Sequence, residues 1–296
     1  MTETTADTTE ERPARDLPPL VAPTADNGLK AVFQRRYLLK LLVRREISAR
    51  YQGSILGLLW SYINPLSQFC IYFFIMGTIF ALHKNIPNFA IHIFSALIIV
   101  HFFNETFNAG TRSIVRNRQI VQKMAMPREM FPVASMLVSL YHVMPQVVIL
   151  VIACFASGWT PDLYGAAAFL LALVLISILG TGLALMFSAA NVFFRDVGSV
   201  VNILTNLVRF GVPMIYSFEM VDQRFGSFAP YYLYNPIAIA VLLFQRAFWT
   251  GSTDQPTVMP DHLLERGVAM IGVSLLVLAL GQFVFSRLEN KIPERL

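Results

Sequence analysis

Charge is absent from this 296-residue chain in long blocks, and this pattern constrains the fold most strongly. Residues 51–82, for example, contain no Asp, Glu, Lys or Arg. Only 14% of all residues are charged, whereas soluble proteins carry about 25%. A helix needs about 20 apolar residues to cross a bilayer core. Repeated uncharged blocks of that length therefore predict an integral membrane protein.

The uncharged blocks predict an all-α membrane protein with six transmembrane helices inside a domain of 57–287. One further apolar stretch, 225–249, is interrupted by Asn235-Pro236, and its continuous apolar part is too short to cross. We expect it to form short re-entrant helices between spans five and six. The six predicted spans cover about 57–82, 86–106, 131–156, 164–190, 197–219 and 267–287.

The distribution of basic residues predicts the orientation. Lys and Arg concentrate in 30–56, 107–130 and 288–296, which all lie on one side if the six spans are correct. Since cytoplasmic segments carry the excess of basic residues, we expect both termini to be cytoplasmic. This topology explains the net charge of +5 without a nucleic-acid partner. Residues 1–29 are polar and poor in aromatics, so we expect a disordered cytoplasmic tail.

Segment 30–56 mixes basic and apolar residues in a helical pattern. A helix that lies on the membrane surface suits this mixture, and Arg44, Arg45, Arg50 and Tyr51 are its candidate interface residues. The alternative is a basic stop before the first span. Residues 288–296 are expected to form a cytoplasmic tail.

The sequence lacks the motifs of an enzyme. No G-x-x-x-x-G-K-[ST] loop is present for ATP phosphates, and no Ser-His-Asp, H-E-x-x-H or C-x-x-C pattern occurs. Cys70 and Cys154 lie in apolar stretches and read as packing residues, so no metal and no cofactor is expected on this chain. Any energy for work must come from another subunit or from an ion gradient. Few carboxylates lie within the spans, which argues against an ion-driven transporter.

A few residues inside the spans are candidates for lining a channel. Arg209 is charged in mid-span, where a charge is costly, although it could snorkel beside a helix break at Gly211 and Pro213. Aromatic rings stack on sugars, but aromatic residues also form belts at membrane interfaces. The channel candidates are Trp60, Tyr62, Asn64, Phe69, Tyr72, Arg209, Tyr234 and Asn235.

The loop 107–130 reads as a basic helix from Thr111 to Met124 that ends before Pro127. Such a helix suits docking into a cytoplasmic partner. The alternative is a solvated connector whose basic residues only set the topology.

The chain resembles the membrane subunit of type-2 ABC exporters for lipid-linked polysaccharides, such as O-antigen, teichoic acid and cell-wall galactan exporters. The resemblance covers about 30–290 and rests on the order and spacing of several short stretches. These stretches are RREISARY (44–51), SILGLLW (54–60), NPL (64–66), NRQIVQKM (117–124), PRE (127–129), FFRDV (193–197) and YNPI (234–237).

The resemblance implies a homodimeric permease in the plasma membrane, which exports a polyprenyl-pyrophosphate-linked glycan. Two copies of a cytoplasmic ATPase subunit would carry the ATP and Mg, so this chain is not expected to be an enzyme by itself. A coupling helix at 112–126 would sit on that ATPase. Its candidate residues are Arg116, Asn117, Gln119, Ile120, Lys123, Met124, Pro127 and Arg128, and the cytoplasmic end of span four contributes Phe194, Arg195 and Asp196.

Two other functions stay open from the sequence. A drug or lipid exporter of the same architecture would share the topology. A membrane-embedded transferase would need clustered acidic or His residues, whereas the five His residues are scattered along the chain.

Overall fold

A computed structural model describes residues 28–124, 126–253 and 255–296. Helices dominate and no β-strand occurs within these ranges, which confirms the predicted all-α class for this part of the chain. The predicted disordered tail, 1–29, lies outside the described residues except for its last two positions. Leu29 already belongs to the first helix.

The described ranges contain thirteen α-helices and one π-helical segment, Phe73–Ile79, which continues directly from the third helix. The helices are α1 (Leu29–Gln34), α2 (Arg36–Tyr51), α3 (Trp60–Tyr72), α4 (Phe89–Arg116), α5 (Arg118–Lys123), α6 (Met130–Ala156), α7 (Leu163–Phe193), α8 (Val197–Val208), α9 (Phe218–Phe225), α10 (Ala229–Tyr232), α11 (Pro236–Phe248), α12 (Leu263–Leu288) and α13 (Ile292–Arg295).

Within the described residues, four helices are long and apolar enough to cross a membrane: α4, α6, α7 and α12. They lie at the ranges predicted for spans two, three, four and six. A long helix suits this setting because it satisfies its own backbone hydrogen bonds where water is absent. α4 runs ten residues beyond the predicted end at 106. Tertiary packing stabilises this polar extension of α4, since Gly110 packs against Ala184 and Ile114 is buried.

Spans one and five differ from uniform helices over the predicted ranges. In the predicted span 57–82, α3 carries Pro65 in its interior and passes into the π-helical segment, which ends at Ile79. In the predicted span 197–219, α8 ends at Val208 after 12 residues, a length of about 18 Å. The chain then turns through Gly211 and Pro213. The helix therefore ends close to the break that Gly211 and Pro213 suggest in the sequence, and the crossing predicted over 197–219 stays a prediction.

The segment between α8 and α12 is sharply bent. Phe218–Tyr232 and Pro236–Ser252 meet at an angle of 117°, which fits either a broken span or the predicted re-entrant pair. Asn235 begins α11 because its side-chain Oδ1 accepts hydrogen bonds from the backbone N–H groups of Ile237 and Ala238, at 3.0 and 3.4 Å. The bent segment starts seven residues before the predicted range of 225–249.

α7 lies at the centre of the bundle and approaches α12 through two glycines. A Cβ atom on Gly281 would lie 2.2 Å from the carbonyl oxygen of Gly182, and a Cβ on Gly182 would lie 2.7 Å from Leu278 Cα. Small residues let membrane helices come this close. The resulting van der Waals contacts stabilise helix association in lipid, where the hydrophobic effect does not drive it. The opposite face of α12 exposes Leu276, Leu280 and Phe283, as expected for a lipid-facing surface.

We predict that Gly281→Ala destabilises the protein by roughly 1–3 kcal/mol, because the new methyl group collides with the backbone of α7. Gly272→Ala in the same helix is the matched control, since a Cβ at that position meets nothing within 4 Å. The measurement is the thermal unfolding midpoint in detergent micelles. Equal midpoints for the two variants would contradict the close crossing.

Candidate functional site

A polar cleft opens between α2, α4 and α6 and leads into two further cavities. The first cleft has a volume of about 660 Å³, and the second cavity, beneath the start of α3, measures about 230 Å³. Arg50 and Glu105 line both of them. The third cavity is narrow and shares His101 with the second. These cavities form a row of three spaces joined by shared side chains.

One face of α4 lines the whole row. Its lining residues recur at intervals of three or four, the spacing of a single helical face. From Arg116 in the first cleft to Leu97 in the third cavity, the row extends about 28 Å along the helix axis. This length is close to the thickness of a bilayer core. The α4 residues that line the row are Leu97, Val100, His101, Asn104, Glu105, Asn108, Ala109, Arg112 and Arg116.

The first cleft has an excess of positive charge. Four arginines and two glutamates line it, together with hydroxyl groups of Ser135 and Ser139 on α6. The charged lining residues are Arg45, Arg50, Arg112, Arg116, Glu46 and Glu105. A partly enclosed concentration of guanidinium groups favours phosphate or carboxylate ligands, since Arg can donate two parallel hydrogen bonds to them.

Polar side chains fasten α2 to the end of α4. Arg45 donates to Asn117 Oδ1 at 3.0 Å, and Asn117 Nδ2 donates to Glu46 Oε1 at 2.9 Å. Arg116 forms an ion pair with Glu46. Two other predicted interface residues differ in their surroundings. Tyr51 forms a hydrogen bond with the Ser61 hydroxyl at the start of α3, whereas Arg44 is exposed.

A charged cluster stands where the first cleft meets the second cavity. Glu105 is buried and forms an ion pair with Arg50 from the last turn of α2. His142 Nδ1 on α6 lies 2.9 Å from Glu105 Oε1 and 3.0 Å from Arg50 Nη1. His101 Nε2 lies 3.5 Å from Glu105 Oε2. The cluster therefore connects α2, α4 and α6.

Sequence reasoning missed this cluster because it joins residues up to 92 positions apart. The five His residues are scattered along the sequence, and Glu105 does not stand out among the few carboxylates near the spans. The only local signal was the spacing of His101 and Glu105, four residues apart on one helix face.

The structure brings four of the eight channel candidates to the row of cavities. Trp60 and Asn64 line the second cavity, and Tyr72 and Arg209 line the third. A side chain from each of the disrupted spans, one and five, thus reaches the same narrow space.

The other four channel candidates lie elsewhere. Tyr62 lines a separate apolar groove beside α6, and Phe69 packs on Phe94 with ring centroids 5.1 Å apart. Tyr234 is exposed at the bend before α11. Asn235 caps α11 and donates from Nδ2 to the Gly211 carbonyl at 3.3 Å.

The predicted coupling helix, 112–126, is divided in the structure. Residues up to Arg116 belong to α4, and only α5 forms a separate short helix. The helix breaks at Asn117, whose side chain forms hydrogen bonds with Arg45 and Glu46 of α2. This corrects the expectation of a single helix.

The eight predicted coupling residues fall into two sets. Gln119, Lys123 and Met124 are exposed on or just after α5, and Arg116 is exposed beside Glu46. Asn117 and Pro127 are buried, while Ile120 packs in part against the apolar cluster around Phe131. The last of the eight, Arg128, belongs to an internal junction.

That junction joins three distant segments. Arg128 Nη1 donates to the Glu289 carbonyl at 2.7 Å. Glu129 Oε1 accepts from the Gly28 N–H at 2.9 Å and from Gln282 Nε2 at 3.0 Å. Both carboxylates are buried, and burial together with the charge of Glu129 raises the pKa of Glu289 to about 7. Glu289 is therefore packed into the fold, as is Ile292 in the same segment.

The predicted residues at the end of span four form the turn between α7 and α8. Phe194 is exposed and lines a cavity of about 580 Å³ with Lys291 and Arg295, whereas Arg195 and Asp196 are exposed beside it. Within the described ranges, no group of three His, Cys, Asp or Glu side chains is arranged to hold a metal ion.

The long apolar helices, with a row of partly polar cavities between them, define a multi-pass helical membrane protein. The sequence profile of the ABC-2 type transporter family matches residues 37–249. The chain belongs to this family and is a multi-pass protein of the plasma membrane.

Three curated relatives are similar over nearly their whole length. Two O-antigen export system permease proteins RfbA from Klebsiella pneumoniae are 26% and 27% identical to this chain. The RfbA protein of Myxococcus xanthus is 26% identical. Each alignment covers 90% of this chain and 98–99% of the relative.

We predict that the stability of the wild-type protein falls as the pH rises from about 4.5 to about 7. Folding keeps the Glu289 carboxyl protonated, whereas the unfolded chain loses that proton near pH 4.5, so the loss is at most about 1.4 kcal/mol per pH unit. Glu289→Gln should remove this part of the pH dependence. The measurement compares unfolding midpoints of both proteins from pH 5 to pH 8, and parallel profiles would contradict the junction's buried proton.

Proposed function

We propose that this chain is the permease subunit of an ATP-driven ABC exporter, which moves a polyprenyl-pyrophosphate-linked polysaccharide out across the plasma membrane. The observation that carries the proposal is the row of three cavities along α4, cationic at one end and lined by aromatic and amide groups further in. The names of the RfbA relatives support a polysaccharide as the solute.

The chemistry of the row suits a glycan attached to a pyrophosphate. The arginines of the first cleft attract the phosphates electrostatically. Trp60 and Tyr72 offer ring faces for stacking against sugars, and Asn64 offers an amide to their hydroxyl groups. The third cavity is narrow, so transport requires α3 and α8 to move away from α4.

A second copy of the chain is expected to complete the path. α3 with its π-helical continuation, and α8 with the turn that follows it, expose large apolar side chains: Ile71, Phe74, Ile79, Ile203, Leu207 and Phe210. Dimerisation through these faces would place the two rows side by side. The glycan would then pass between two copies of span one.

The topology proposed for this function has six crossings and cytoplasmic termini. Span one consists of α3 with its π-helical continuation, and α8 begins span five. Tyr37 and Leu41 are exposed four residues apart on α2, and Phe33 is exposed on α1 before the break at Arg35. The spacing puts Tyr37 and Leu41 on one face of α2, which suits an interface helix resting on the cytoplasmic leaflet.

Energy would come from two copies of a separate ATPase subunit, which would bind ATP and Mg. α5 supports this role because it exposes Gln119 and Lys123 directly after α4. A displacement of α5 would be carried along the single rigid helix α4 to the cavities. A drug or lipid exporter would use the same connection, so the identity of the solute needs a direct test.

The test is co-purification with an ABC ATPase, followed by measurement of ATP hydrolysis with candidate substrates. We expect lipid-linked glycans to stimulate hydrolysis and apolar drugs or phospholipids to leave it unchanged. Stimulation by drugs alone would favour the alternative exporter. Failure to assemble with any ABC ATPase would overturn the proposal.

We predict that Lys123→Glu weakens assembly with the ATPase and lowers glycan-stimulated hydrolysis at least several-fold, because it reverses the charge of the proposed docking helix. Lys84→Glu, which makes the same change beyond the opposite end of α4, is the matched control. Equal assembly of the two variants would remove α5 from the proposed interface.

We predict that Arg209→Gln lowers glycan export several-fold at normal expression, and that Arg209→Lys restores part of it, because the positive charge faces the third cavity. The control is Arg266→Gln, since Arg266 bonds the Asp261 carbonyl outside the row. The readout is polysaccharide on the cell surface. Normal export by the Gln variant would show that Arg209 only satisfies local structure.

A further inference from the structure

We propose that Glu105 controls access from the first cleft to the second cavity. Its carboxylate neutralises Arg50 until an anionic phosphate group takes the place of Glu105 as the partner of Arg50. This inference rests on the proposed function and adds to it a residue pair, Arg50 and Glu105, that responds to the charged end of the substrate. It follows from one structural fact: Arg50 and Glu105 are the two side chains common to both cavities.

The two partners differ in their exposure to water. The Arg50 side chain is 48% exposed, whereas the Glu105 side chain is 8% exposed. Arg50 therefore faces solutes that enter the first cleft, while Glu105 lies behind it. A guanidinium on a long side chain at the end of α2 can turn to a new partner, but a carboxylate inside α4 cannot follow it.

Glu105 keeps one hydrogen-bond partner when Arg50 leaves. His142 Nδ1 lies 2.9 Å from Oε1, while His101 Nε2 approaches Oε2 to 3.5 Å without a hydrogen bond. A buried carboxylate without any partner would be costly. Because the His142 contact remains, the release of Arg50 avoids part of that cost.

A pyrophosphate is the kind of ligand that can compete for Arg50. Its oxygens accept paired hydrogen bonds from a guanidinium, and it carries more charge than one carboxylate. Arg112 lines the same cleft, where its Nη2 donates to the Gly198 carbonyl at 3.2 Å. Because a backbone carbonyl is neutral, this hydrogen bond does not neutralise the charge of Arg112. The charge of Arg112 therefore adds to the attraction of an anion.

The exchange also changes the position of α2. Arg50 is the contact between the last turn of α2 and the middle of α4, whereas Arg45 and Glu46 bind the end of α4. α2 also packs against α6, so loss of the Arg50 contact frees only its last turn from α4. The first cleft then widens on the side that faces the second cavity.

The first experiment measures binding of inorganic pyrophosphate to the purified full-length chain in phosphatidylcholine nanodiscs. We expect Glu105→Gln to bind about three- to tenfold more tightly than wild type, because Arg50 is no longer neutralised. Arg50→Gln should weaken binding by at least as much. Lys40→Gln, an exposed basic position of α2 outside the cleft, controls for net charge.

The second experiment measures the opening of the cleft. Spin labels are attached through Ala49→Cys on α2 and Ala109→Cys on α4, which both line the first cleft, in a Cys70→Ser background. We expect pyrophosphate to lengthen the distance between the labels in the wild-type pair. Glu105→Gln should show the longer distance without ligand, and Arg50→Gln should give no response to pyrophosphate.

The inference is wrong if Glu105→Gln binds pyrophosphate no more tightly than wild type, or if its label distance equals that of the unliganded wild type. Either result would contradict this inference even if lipid-linked glycans stimulate ATP hydrolysis. In that case the inference fails and the proposed function stands. Conversely, the expected shifts together with stimulation by drugs alone would retain Glu105 as an anion-controlled residue and reject glycan export.

Discussion

The structure depends on a buried helix that carries polar groups through an apolar bundle. α4 is the most enclosed of the four long apolar helices, yet it places His101, Asn104, Glu105 and Asn108 along one face. A charge or amide in such surroundings must find a partner or a polar space. Glu105 finds Arg50 and His142, and Asn108 Nδ2 donates to Thr205 Oγ1 on α8 at 2.9 Å. The row of cavities is the polar space that this face requires.

The same helix joins the two ends of the proposed mechanism. At one end it passes directly into α5, which is exposed for a partner, and at the other it reaches the third cavity beside Arg209. Arg116 and Asn117, at the end of α4, bind α2, so a push on α5 acts on the interface helix as well. The junction of Arg128, Glu129 and Glu289 then connects this region to α12.

The sequence predicted the parts of the fold that depend on continuous apolar length. α6 and α7 need only uncharged residues at helical spacing, and their ranges lie within three residues of the predicted spans. The bend before α11 was also foreseen, because Asn235 and Pro236 are strong local signals for a helix start. Where local signals and tertiary contacts disagreed, prediction failed: Asn117 looked like mid-helix but ends α4 by bonding α2. By contrast, α8 stops at Val208, just before Arg209 and the helix break that Gly211 and Pro213 indicate in the sequence.

The candidate site was only half predictable for a related reason. Trp60, Asn64, Tyr72 and Arg209 stand out one by one as unusual residues within spans, and the structure brings them to the row. The cluster of Glu105, His101 and His142 could not be predicted, because it depends on contacts between three helices. Tyr62 and Phe69 looked equivalent to Tyr72 in sequence, yet Tyr62 lines a separate groove beside α6 and Phe69 packs on Phe94.

The most direct test of this account is the water accessibility of the row of cavities during ATP turnover. Cysteines replace Asn64, Gln68 or Leu276 in a Cys70→Ser background, and the permease is assembled with its ATPase in lipid vesicles. Asn64 and Gln68 line the second and third cavities, whereas Leu276 faces away from the bundle on α12. The account predicts that a membrane-impermeant maleimide labels the first two cysteines during ATP hydrolysis and spares the third. Labelling of all three at the same low rate would contradict a polar path along α4.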